Sequence, residues 1–173
     1  LHLKIGRLLL DNVCGNALEE QLFDIVGQFN QCLGLIKDAD EGLNIARLNF
    51  RAGKKAKMAT AYSASTQYLG IARKLLPQNC WQKYYAFTFE LYKLSAECEF
   101  LIGNCKKSQE LFHAAFGQAR SNLEKAEIYA VQIMHYMALA ETGMALEIAQ
   151  EGLHLCGVNF PERGLQPAIL AEC

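Results

Sequence analysis

Only three prolines interrupt the 173-residue chain, at 77, 161 and 167, and the sequence contains no Asn-Gly pair. Clean apolar/polar alternation is equally scarce, so hairpin-built β architectures lack their usual sequence support. Apolar runs such as "GRLLL" at 6–10 fall far short of the roughly 20 residues that cross a bilayer. A net charge of −1 supplies no summed field toward nucleic acid or an anionic membrane, so either would need a local patch. No charged-then-apolar leader precedes a cleavage site, and the expectation is a soluble, cytoplasmic protein. The seven cysteines, at 14, 32, 80, 98, 105, 156 and 173, form no C-x-x-C and no tight cluster. They read as reduced thiols used as small hydrophobes, with neither zinc nor disulfide chemistry favoured by the spacing.

Signatures of catalysis are as thin. "AGKKAK" at 52–57 has one glycine and no following hydroxyl, so it is not a phosphate-cradling loop. His113, His135 and His154 fall on separate expected helices with no H-E-x-x-H or E-x-x-H pairing. Serines 63, 65, 95, 108 and 121 lack the G-x-S-x-G setting, and no cysteine carries a nucleophile's local signature. The basic turn at 51–57 is followed by an uncharged stretch, 58–72, which is unsuited to a DNA-reading helix. No active site, cofactor or metal is expected within the chain.

Helix signals, by contrast, are dense. Polar residues followed three positions later by an acid or amide occur at Asn16/Glu19, Asp38/Glu41, Asn79/Gln82 and Ser121/Glu124. Each pair is a candidate helix start that satisfies orphan backbone amides. Gly53, Gly103 and Gly143 each sit between two helical patterns and are expected to form the turns of three helical hairpins. The expected helices are 3–12, 17–35, 40–52, 55–76, 81–102, 105–119, 122–141 and 144–157. Pro77 and Pro161, 84 positions apart, stop two of the second helices, and a degenerate period near 40 marks stacked helical repeats. The expected class is all-α: stacked antiparallel hairpins in a TPR-like α-solenoid or superhelix. After Pro161 the tail at 162–173 is expected to be loose.

The stretch "WQKYYAFTFELYKL", 81–94, holds six aromatic rings. Tyr84, Phe87, Leu91, Leu94, Cys98 and Leu101 recur at helical spacing, with Tyr85, Phe89, Tyr92 and Ala96 on an adjoining stripe. A helix apolar over more than half its circumference belongs between neighbours in a stack. Burying one ring is worth roughly 4–6 kcal/mol gross, which favours core over a ligand box. Small residues at Ala56, Ala59, Ser63 and Gly70, and at Ala145, Ala149, Gly152 and Cys156, supply close-approach surfaces opposite. The candidate partner-binding residues are Arg51, Lys54, Lys55 and Lys57 at one corner and Tyr85 and Tyr92 near another.

The strings "LHLKIGRLLL", "LNIARLNFRAGKKAKMATAYSASTQYLGIARKLLP", "CWQKYYAFTFELYKLSAECEFLIGN" and "EIYAVQIMHYMALAETGMALEIAQEGLHLCGVNFP", in that order, resemble one segment of very large bacterial hybrid signalling proteins. In those proteins a serine/threonine kinase and an AAA-type ATPase precede such a helical region, and a GAF sensor and often a histidine kinase follow it. The resemblance implies that the chain is a piece of a longer one. It makes 1–37 the helical end of an ATPase arm and 38–161 about three tetratricopeptide-type hairpins. Trp81 matches the opening tryptophan of that repeat, whereas Tyr84 and Tyr85 replace the usual Leu-Gly. The implied function is a non-catalytic protein-interaction and regulatory module, with partners among neighbouring domains or signalling proteins and none in nucleic acid or membrane. The alternative is a small-molecule or thiol-redox-sensing bundle using the rings at 84–92 with Cys98 and Cys105.

Overall fold

The computed structural model describes residues 1–13 and 15–158 of the chain. The described residues form ten α-helices and no strand. They are α1 (His2–Asp11), α2 (Asn16–Glu20), α3 (Leu22–Asn30), α4 (Ala39–Met58), α5 (Tyr62–Lys74), α6 (Cys80–Lys83), α7 (Tyr85–Leu101), α8 (Cys105–Gln118), α9 (Asn122–Ala138) and α10 (Thr142–Leu155). A single 3-10 turn, Leu33–Leu35, links α3 to α4. Pairs α4/α5, α7/α8 and α9/α10 are helical hairpins, as expected. Two compact units result, one from Leu1 to Gln118 and a second from Ala119 onward. The expected boundary at residue 37 falls inside the first unit. Pro161 and the tail at 162–173 lie outside the described residues.

In the first unit, α4 has two buried faces. Ile45, Leu48 and Ala52 join Leu22, Ile25, Val26 and Phe29 of α3 in one core cluster, with Leu3, Leu9 and Leu10 of α1 packed against it. An adjoining side places Ala46 with Leu69 and Ala72 of α5 and Leu91 and Cys98 of α7 in a second cluster. Inside the first interface, Asn30 and Asn49 exchange two side-chain hydrogen bonds of 2.9 and 3.0 Å, and Asn49 Nδ2 also donates to the Ile45 carbonyl at 3.1 Å. Asn49 is fully buried, and its satisfied amide fixes the register of α3 on α4. Helix α7 is sandwiched between α5 and α8, as its near-circumferential apolarity requires.

The helix ends correct the reading of the glycines. Gly53 is not a turn residue: α4 runs through it to Met58, and Gly53 is buried where α5 crosses. A Cβ there would stand 2.7 Å from Cγ and Cδ2 of Leu69, so glycine serves close packing. The turn comes seven residues later at Thr60, with φ 57°. Gly143 likewise lies within the first turn of α10, and Ala140, φ 60°, makes the preceding reversal. Only Gly103, φ 81°, fills the role expected of it. At all three ends the amide after the left-handed residue bonds back five positions: Ala61 to Ala56, Asn104 to Glu99 and Glu141 to Tyr136, at 2.8–2.9 Å. This pattern closes a helix by capping its orphan carbonyls, and it recurs at Gly157 after α10. Spacing by glycine failed because a favourable end bond held Thr60 and Ala140 in a conformation that their side chains disfavour.

Other starts and breaks divide similarly. Asp38 accepts from the Glu41 amide at 2.7 Å, and Ser121 with Glu124 forms a complete capping box. Asn79 makes no side-chain cap. The helix expected at 81–102 breaks at Tyr84, φ −128° and ψ 40°, and the one expected at 17–35 breaks at Gln21 and again after Asn30. Helix α5 ends at Lys74, ahead of Pro77.

The second unit, among its described residues, is a hairpin with Ile128, His135 and Ala145 buried. The open end is tied by Asn122 Nδ2 donating to the Leu155 carbonyl at 2.9 Å. Tyr129 packs over Gly152, where a Cβ would meet its ring at 3.4 Å, and its hydroxyl donates to Glu151 at 3.1 Å. Burial and the neighbouring carboxylate raise the Tyr129 pKa. Here the expected pairing of a large ring with a small residue is realised.

Candidate functional site

The break at Tyr84 builds an aromatic corner. Because α6 is a single turn, Trp81 folds back onto the stripe that Tyr85, Phe89 and Tyr92 form at spacings of four and three on α7. Ring centroids lie 5.0 Å apart for Trp81 and Tyr92, 6.2 Å for Trp81 and Tyr85, and 5.9 Å for the stacked pair Tyr85 and Phe89. Phe89 is buried and the other three rings are half-buried. Lys93 Nζ sits 5.4 Å from the Phe89 centroid, a cation over a ring face. The remaining rings serve packing: Phe87 meets Phe50 edge-on at 5.4 Å, and Arg47 covers Phe87 and Tyr84 at 5.9 and 6.0 Å. Tyr85 and Tyr92 are therefore brought together around Trp81.

The basic residues diverge. Arg51 pairs with Glu19 of α2, and Lys55 donates to the Glu19 backbone carbonyl while standing 5.3 Å over the Phe23 ring. The Arg51 bond holds the Glu19 carboxyl below its usual range. Lys57 points the other way, to Glu97 of α7 at 2.5 Å. Lys54 is exposed, 5.7 Å from the Phe50 centroid. These cations lie on successive faces of α4, because a helix advances about 100° per residue. Two of them brace α2 and one braces α7.

Between α5 and α7 the Arg73 guanidinium lies 4.0 Å from Glu99, with its Nε unpartnered. Burial lowers its pKa, against the raising influence of Tyr92 and Glu99. Cys98 is buried, with its sulfur 3.2 Å from Ser65 Oγ, which itself donates to the Gly53 carbonyl at 2.8 Å. Burial pushes the Cys98 pKa up, opposite to a reactive thiolate. Cys105 is exposed at the start of α8.

Two shallow depressions mark the first unit. One, of about 420 Å³, lies where the α4/α5 and α7/α8 turns meet and is lined by Thr60–Ala64 with Leu101 and Ile102. The other, of about 480 Å³, joins α1 to α4 around Arg7, Asp38, Asp40 and Glu41. Arg7 bonds both Glu41 oxygens, at 2.6 and 2.8 Å, and keeps that carboxyl below its usual range. Among the described residues, no three His, Cys, Asp or Glu side chains gather in a metal-holding group. The surface offers apolar contact, rings and fixed ion pairs.

No family model matches the chain, and no solved structure matches it. It is 32% identical over 146 residues, 79% of its own length, to "Hybrid signal transduction histidine kinase G" of Dictyostelium discoideum. The chain spans 4% of that protein's length. This relative lies outside the bacterial setting implied by the resemblance above.

No helix among the described residues is long and apolar enough to cross a membrane.

Proposed function

We propose that the chain is a non-catalytic helical-repeat module of a multidomain signalling protein, coupling the binding of a protein partner or inducer to a kinase output. The observation that carries this reading is the 32% identity over most of the chain to a small part of a hybrid histidine kinase. The folded hairpins support it, since stacked helix pairs present extended surfaces for binding. In this reading the repeats are TPR-like, residues 1–37 continue an ATPase arm, and Arg51, Lys54, Lys55, Lys57, Tyr85 and Tyr92 contribute to partner or domain contacts. A partner that prefers one arrangement of the hairpins shifts the population of output-competent states, by no more than its difference in affinity for the two. The test is phosphoryl-transfer output of the full-length signalling protein with and without residues 38–158. Output that loses its regulation when the segment is removed supports the module. Output unchanged in both level and regulation contradicts it.

The thiol-sensing alternative gains no support from the geometry: the Cys98 sulfur is buried and its pKa raised.

A further inference from the structure

All four methionines of the chain are exposed: Met58 at 85%, Met134 at 71%, Met137 at 56% and Met144 at 42%. Methionine is an adaptable core filler, so three exposed copies within eleven positions is an unusual placement. Met134 and Met137 fall in the last five residues of α9, and Met144 and Leu146 in the first five of α10. Exposed Leu139 lies in the turn between them. With a rise of about 1.5 Å per residue, all five side chains originate within roughly 8 Å of the turn along the helix axes. The tip of this hairpin is thus an apolar cap.

Its charge has one sign. From 134 to 147 there is no lysine or arginine, while Glu141 and Glu147 are exposed beside the cap. Across 119–158 only Arg120 and Lys125 oppose five glutamates, and both precede the middle of α9. The backbone of the hairpin is helical, so it has no sheet edge to receive a strand. The cap also lacks the exposed rings that grip a polyproline segment. Unbranched, polarizable methionines suit the ridged apolar face of a helix, and flanking carboxylates suit lysines or arginines on its other side.

We propose that the α9/α10 tip is a docking surface for a basic amphipathic helix of a protein partner. The proposal deepens the interaction-module reading and rests on it. It adds a recognition surface on the second unit to the basic and aromatic residues of the first.

The test labels the 173-residue chain with [13C-methyl]methionine, one signal per methionine. It is titrated with an 18-residue peptide carrying leucine at helical i, i+3, i+4, i+7 spacing and lysine elsewhere. The signals of Met134, Met137 and Met144 shift on binding while that of Met58 stays in place. Affinity falls at least tenfold in the double variant M137Q/M144Q, whose changes are at exposed positions, and again when NaCl is raised from 50 to 500 mM. A peptide with glutamate in place of lysine leaves the spectrum unchanged. The proposal is overturned by silence of the three signals, by equal movement of Met58, or by equal binding of the glutamate peptide. It is also overturned if the three signals change with the concentration of the protein alone, which would assign the cap to a second copy. Silence here leaves the kinase-output test intact, so failure of the docking surface is distinguishable from failure of the module.

Discussion

The first unit, Leu1–Gln118, and the α9/α10 hairpin are made of similar amphipathic helices closed by the same left-handed end turn, yet they bury themselves differently. In the first, α4 alone contributes nine buried residues and is covered on two sides by α3 and α5. In the second, α9 and α10 together contribute three among the described residues, while seven large hydrophobic side chains between Leu123 and Val158 are exposed. Local helix chemistry is equally good in both, down to the complete capping box at Ser121. The difference is partners: a helix stripe stabilises only when another surface removes it from water. The thin hairpin is the place where a further surface adds most, and there the methionines gather.

The largest expected effect breaks the first unit's core. Phe29 is buried against Gly6, where a Cβ would meet its ring at 3.1 Å, and against α4. Phe29→Ala is expected to cost about 3–5 kcal/mol in urea unfolding. If Ile128→Ala in α9 cost as much or more, the hairpin would be as tightly held as the first unit.

A sharper change is Gly53→Ala, because two effects of opposite sign compete. Helix propensity alone favours alanine by about 1 kcal/mol. The new Cβ, 2.7 Å from Leu69, forces that side chain or α5 to move. The crossing is expected to win, with net destabilisation of about 1–3 kcal/mol by chemical denaturation. A stabilised variant would mean that α4 and α5 are more loosely apposed than the geometry indicates.

Smaller still are the end turns, shared by both regions. Thr60→Gly and Ala140→Gly relieve left-handed strain of about 1–2 kcal/mol but release unfolded-chain entropy worth about 0.5–1 kcal/mol. Each is expected to stabilise by roughly 0.5–1 kcal/mol, seen as a raised thermal midpoint. Loss of stability in both would remove the claim that these turns are strained.

Much of this architecture was legible in the sequence, and the rest was hidden for definite reasons. The all-α class, the three hairpins and the starts at Asp38 and Ser121 follow from periodicity and capping, which act over three or four residues. The turns at Thr60 and Ala140 were missed because they depend on a backbone bond spanning five positions that no residue type advertises. Gly53 was misread since a glycine reports either a turn or a close approach, and only the crossing of α5 decides between them. At the candidate site, Tyr85 and Tyr92 were named from spacing, but their meeting with Trp81 required the break at Tyr84. The basic run looked like one corner because the sequence places its residues together; the helix turns them to different neighbours. The methionine tip had a signal, Met134 and Met137 three apart with Met144 seven further on, but helical spacing alone does not tell an exposed apolar face from a buried one.

The most direct measurement is hydrogen exchange of the 173-residue chain, resolved by segment. Amides of α4 and α7 are expected to exchange through the largest opening of the chain. Those of α9 and α10 should exchange at least about 100-fold faster, through a separate opening that costs correspondingly less. Equal protection of α9 and α4 in the isolated chain would contradict the account, because it would mean that the hairpin already has all the cover it needs.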